Sequence, residues 1–159
     1  MAQFEAFLFD IIKEILLDDI RKIKITVCGI NFCKNIDINE VIDSSNKEEI
    51  INTIINKNLA SLFYAAPKQQ LEYLNKIAGI SELEELFNNW IEIKATRDLI
   101  IHNQGFVNQV YLEKSGNKAR QVLNKKIPID DVYFKQTLAN IKSLIGKITS
   151  KIQKNCKKD

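Results

Sequence analysis

An all-α fold, an antiparallel bundle of four to five helices, is predicted by three features of this chain. Apolar residues recur at three- and four-residue steps along several long stretches. Only five Gly and two Pro interrupt 159 residues, too few for a turn-rich β fold. The four principal helical stretches are joined by connections of moderate length, as antiparallel helices require. A chain of this length accommodates one domain, residues 1–159, with a core of its own.

The first helix is expected from Gln3 to about Lys22, on a stripe of Phe4, Phe7/Leu8, Ile11/Ile12 and Ile15. From Lys22 to Ile38 the pattern changes. Ile23, Ile25 and Val27 alternate with polar residues and Gly29 interrupts the run, so a small β-hairpin and an irregular packed insert both fit. A second helix should start near Ser45 or Asn46, with Glu48 and Glu49 in its first turn, and end near Tyr64. Pro67 opens another helical piece, Lys68 to Ala78, which Gly79 closes.

Ser81-x-x-Glu84 reads as a capping box for the next helix, which runs to about His102. Asn103 and Gly105 are available as left-handed residues to end it. Phe106 to Leu112 fits a turn or short helix, Lys114 to Asn117 a loop, and Val122 to Ile129 an extended segment. The last helix begins at Asp130-Asp131 and carries Val132, Phe134, Leu138, Ile141, Leu144/Ile145, Ile148 and Ile152.

Composition narrows the function classes. With 45% hydrophobic and 27% charged residues the chain reads as a soluble globular protein. Its apolar runs are broken by charges well before the roughly 18 residues of a membrane span. The stretch Phe4–Phe9 is interrupted by Glu5 and followed by Asp10 and Glu14, which does not fit a signal peptide. Three cysteines, Cys28, Cys33 and Cys156, fit free thiols of a reducing cytoplasm. Their spacing does not make a metal site, so neither metal nor cofactor is expected. The net charge of +3 is unevenly placed. Six lysines lie between Lys142 and Lys158, and a second cluster comprises Lys118, Arg120, Lys125 and Lys126. Segregated positive charge suits an anionic partner such as RNA, although lysines on a last helix also form an ordinary solvated face.

The chemistry-bearing stretch is Arg97-Asp98-Leu99-Ile100-Ile101-His102-Asn103. On the stripe Leu83, Leu86, Trp90, Ile93, Arg97, Ile100, an arginine stands where a hydrophobe is expected, and a guanidinium on a buried face must be paired, snorkel or enter an interface. His102, the sole histidine, follows five residues later. Positions five apart differ by about 140° around a helix, so Arg97 and His102 do not lie side by side, whereas Asp98 and His102, four apart, share a face. A two-fold axis would bring two copies of the pair together. In that setting His102 would act as general base or acid on a ribose 2′-hydroxyl or a leaving 5′-oxygen, and Arg97 would hold the scissile phosphate. A lone histidine near a helix end is also commonly a cap. Trp90 fits core or interface better than a base-stacking platform.

Arg97 through Gly105, followed by Val107 and Tyr111-Leu112, resembles the signature of HEPN-domain proteins: an arginine, a small polar residue, a few apolar residues and a histidine, in one subset with Asn, Gly and a downstream Tyr-Leu. The resemblance implies a dimeric helical bundle whose composite site uses both protomers, and a metal-independent endoribonuclease in toxin–antitoxin or anti-phage defence. Arg97 and His102 would be catalytic, Asp98 would orient them, and Asn103 would cap the helix or contact RNA. An antitoxin or defence-system partner protein is implied as well. Other members are silent modules that bind RNA, nucleotides or proteins, and that alternative stays open. One departure stands out: members paired with a nucleotidyltransferase antitoxin carry a tyrosine two residues after the histidine, where this chain has Gln104. A helical interaction protein with Arg97 in a structural salt bridge is the third reading.

Overall fold

The computed structural model describes residues 2–156, and the chain is all-α. Seven α-helices and two short 3-10 turns make up its regular structure among the described residues. They fall into two compact units, Ala2–Ile80 and the chain from Ser81 onward.

The first unit contains α1 (Ala2–Asp18), α2 (Ile38–Asp43), α3 (Lys47–Tyr64) and α4 (Pro67–Ala78). Phe4, Leu8, Ile12 and Leu16 form the buried stripe of α1, which packs on α3 and α4. Helix α1 stops four residues before the expected Lys22. Asp19 accepts the Arg21 N–H and caps a separate 3-10 turn, Ile20–Lys24, so the apolar pattern continues in a tighter helix. The start of α3 is as the sequence predicts, with the Asn46 side chain accepting the Glu49 N–H. Gly79 closes α4 in the left-handed conformation.

No strand forms between Lys22 and Ile38, so the insert is the irregular packed one. Side chains replace the missing strand partner. Asn58 accepts the Cys33 N–H at 2.7 Å, and Gln69 and Lys76 donate to the carbonyls of Cys28 and Thr26. Val27 and Phe32 are buried, Phe32 stacking on Tyr73 with ring centroids 5.2 Å apart. Gly29 sits at φ +81°, and a Cβ there would meet the Gln69 amide nitrogen at 2.7 Å. Gly29→Ala should therefore cost about 1–2 kcal/mol from the left-handed backbone alone and loosen the Gln69 anchor. Urea denaturation followed by circular dichroism would measure it.

The second unit contains α5 (Glu84–His102), α6 (Gln109–Ser115) and α7 (Asp131–Cys156), with α5 packed against both of the others. The expected capping box at Ser81 is not formed. Glu82 has φ +73°, Leu83 occupies the cap position without a side-chain bond, and the helix starts at Glu84. Leu83 is 1% exposed. Burying a leucine contributes about 1.5–3 kcal/mol, more than the roughly 1 kcal/mol of a cap. The backbone bends to bury Leu83 and forgoes the cap.

Helix α5 is also rotated from the expected stripe. Phe87, Ile91, Ala95 and Leu99 line its buried face together with Trp90, while Arg97 and Ile100 are exposed. Ala95, Leu99, Val107, Tyr111 and Ile127 form one core cluster. The segment before α7 is tied to the segment before α6 by a single bridge, Phe106 to Lys126, and by the Val107 N–H donating to Lys125. The end of α7 is described to Cys156, and the expected tail lysines Lys157 and Lys158 lie outside the described residues. Among the described residues no helix is long and apolar enough to cross a membrane.

Candidate active site at the end of helix α5

The last two turns of α5 carry Arg97 and His102, both exposed, and the half-buried Asp98. Leu99 anchors these turns in the core, and its carbonyl accepts the N–H groups of both Asn103 and Gly105. Gln104 and Gly105 take left-handed backbone, at φ +52° and +79°, and turn the chain away. Asn103, expected as a left-handed residue, is not one; its side-chain amide donates to the Phe106 carbonyl and holds the turn closed. His102, Asn103, Gln104, Phe106 and Asn124 line a depression of about 390 Å³.

Arg97 is about half exposed and pairs with the neighbouring Asp98 at 3.2 Å. Lys114 on α6 approaches the other Asp98 oxygen at 3.7 Å. Asp98 thus engages two cations, and the His102 imidazole makes no hydrogen bond among the described residues. The end of α5 thus offers one exposed imidazole and, around Asp98, a guanidinium from the same helix and an ammonium from α6: one proton-transfer group and two anion-binding groups.

The remaining basic positions divide. Lys125 and Lys126 are exposed near the same depression, next to Asn124. Lys118 and Arg120 instead line a second cavity, of about 500 Å³, between α5 and α7. No three His, Cys, Asp or Glu side chains gather into a metal-ligand set among the described residues. Cys28 and Cys33 carry free thiols.

The charge that the fold does bury on α5 is Glu92, about one and a half turns before Arg97 and 4% exposed. Its Oε1 accepts from Thr96 Oγ1 at 2.6 Å, Tyr111 OH at 2.8 Å and Arg120 Nε at 2.9 Å; its Oε2 accepts from Tyr133 OH at 3.1 Å. The Arg120 guanidinium also donates to the Pro128 carbonyl and to Thr96, and lies 3.4 Å over the Tyr133 ring. Burial pushes the Tyr133 hydroxyl up to about 12 and raises that of Tyr111. Both therefore keep the proton they donate to Glu92. Sequence reasoning missed this network. An available signal was Glu92, flanked by Ile91 and Ile93, with Thr96 one turn further on.

An all-α protein with an exposed Arg–Asp–His turn and a separate buried ion-pair network is the class defined here. No family model, curated protein or solved structure matches the chain.

Proposed function

We propose that the chain is a metal-independent endoribonuclease of HEPN type, acting as a homodimer in the cytoplasm within a toxin–antitoxin or anti-phage defence system. The observation that carries this reading is the exposure of Arg97 and His102 at one helix end, beside a depression lined by His102 and Asn103. Their azimuths differ by about 140°, so a second copy of α5 supplies the partner groups across a two-fold axis. Exposed Ile100 and Ile101 between them give that contact apolar area.

In this mechanism one His102 takes the proton of a ribose 2′-hydroxyl. The oxygen attacks the adjacent phosphorus, the 5′-oxygen leaves, and the second His102 returns a proton to it; a 2′,3′-cyclic phosphate and a free 5′-hydroxyl result. Arg97 binds the phosphate and counters its growing charge, with Asp98 holding the guanidinium in place. Lys125, Lys126 and Asn103 would bind the flanking RNA. Lys118 and Arg120 belong to the second cavity and take no part in this step.

Labelled single-stranded and transfer RNA, incubated with the protein in EDTA, test the proposal. Cleavage should persist in the chelator. His102→Ala and Arg97→Ala should each reduce it by about 100-fold or more without loss of the dimer. Cleavage unchanged in both variants would overturn the assignment. The alternative is a silent HEPN-like module that binds RNA, a nucleotide or another protein. No cleavage by any form, with dimerisation lost on Arg97→Ala, would establish that reading.

A further inference from the structure

The 500 Å³ cavity between α5 and α7 has the composition of a ligand site, and the proposed nuclease chemistry leaves it unused. Its apolar wall comes from Leu86, Ile93 and Ala139. Its polar side chains are held in place before any ligand arrives. Asn140 donates to the Leu86 carbonyl, its Oδ1 receives the Asn89 amide, and the Asn89 oxygen is left as a fixed acceptor. Thr137 adds a hydroxyl oxygen that is buried and has no hydrogen-bond partner. A buried hydroxyl without a partner costs about 1–3 kcal/mol, so a ligand group that bonds to Thr137 gains by doing so.

The charge balance of the lining decides the ligand's sign. Glu92 and Arg120 neutralise one another at 2.9 Å, and Arg120 spends its other nitrogens on Pro128 and Thr96. The remaining charged side chain of the lining is Lys118. Its one ion-pair partner, Glu85, is 3.7 Å away and 84% exposed, a contact that water screens. The lining therefore carries a net charge of +1, with an apolar wall and fixed hydrogen-bonding groups beside it. Cavities of roughly 300–1,000 Å³ with such a mixture are where small ligands bind between helices.

We infer that this cavity binds a small organic anion with an apolar body, its charged group at Lys118 and its body against Leu86, Ile93 and Ala139 within reach of Thr137. The site is separate from the α5 terminus. Neither Arg97 nor His102 lines the cavity, and Glu92 lies about 15 Å along the helix axis from the histidine, although Ile93 and Arg97 share a face one turn apart.

Calorimetric titration of the full chain with benzoate and with phenyl phosphate tests the inference and separates a carboxylate from a phosphate ligand. Benzamide and acetate serve as the uncharged ring and the anion without a body. The matched monoanion, benzoate, should bind with a millimolar dissociation constant, as a fragment of about nine heavy atoms allows. Lys118→Gln should weaken it about 10-fold, Thr137→Val should weaken it measurably, and His102→Ala should leave it unchanged. Tighter binding of phenyl phosphate would assign a phosphate monoester to the same site. The inference is overturned if neither anion binds, if acetate or benzamide binds as well as benzoate, or if folded Lys118→Gln binds as the parent does. RNA cleavage is scored independently, so failure here leaves the nuclease reading standing, and the reverse.

Discussion

Glu92→Ala should destabilise the second unit by about 3 kcal/mol, the low end of the cost of removing one partner of a buried ion pair, because the Arg120 left behind is 23% exposed. The substitution strands more than Arg120. Tyr111, Tyr133 and Thr96 each lose the carboxylate oxygen that accepts their hydroxyl. Against a typical domain stability of about 5–15 kcal/mol, the loss brings the unit closer to its unfolding threshold. Trp90 is the sole tryptophan and lies in the same helix, so its fluorescence in urea reads the transition. Glu92→Gln keeps the volume and one acceptor oxygen and should cost less than Glu92→Ala. Equal stability of Glu92→Ala and the parent would mean that the network is solvated and not the keystone of α5.

Trp90→Ala should cost about 3–5 kcal/mol, the range for deleting a large aromatic from a packed core. Trp90 is fully buried, and Phe87 packs against it edge-on with ring centroids 4.9 Å apart. The informative comparison is Ile100→Ala. Ile100 is 47% exposed, so its truncation should cost about 0.5 kcal/mol or less, and circular dichroism in urea would rank the two. A reversed ranking would mean that Ile100, not Trp90, is packed in the core. Gel filtration of Ile100→Ser adds a functional reading, because the proposed dimer buries that face.

Much of this architecture is legible one residue at a time. Asn46, Pro67, Gly79 and Asp130 mark helix ends through local bonds or local backbone preference, and the helices start or stop beside them. Helix α2 is not legible: it has six residues, none buried, and no periodicity to detect. The face of α5 is misread for a different reason. A helix buried on most of its circumference shows two overlapping apolar stripes, and the one through Leu86 and Ile93 leads to Arg97 instead of the core. The rule that a charge among hydrophobes must be paired holds in this helix, but it applies to Glu92. Partners 19, 28 and 41 residues away complete that site, separations that no local pattern encodes. Arg97 and His102 stand out as candidates in the sequence because they lie within one short stretch.

Those separations also set a schedule for synthesis. Tyr133 leaves the ribosome 41 residues after Glu92, an interval of about two to eight seconds at ordinary elongation rates of roughly 5–20 residues per second. Throughout it the carboxylate lacks at least one of its donors and is held in water. Helix α5 therefore stays wet on the Glu92 side until the first turn of α7 emerges. The chain delays the burial of its own central helix until the start of the last helix of that unit is available to cover it.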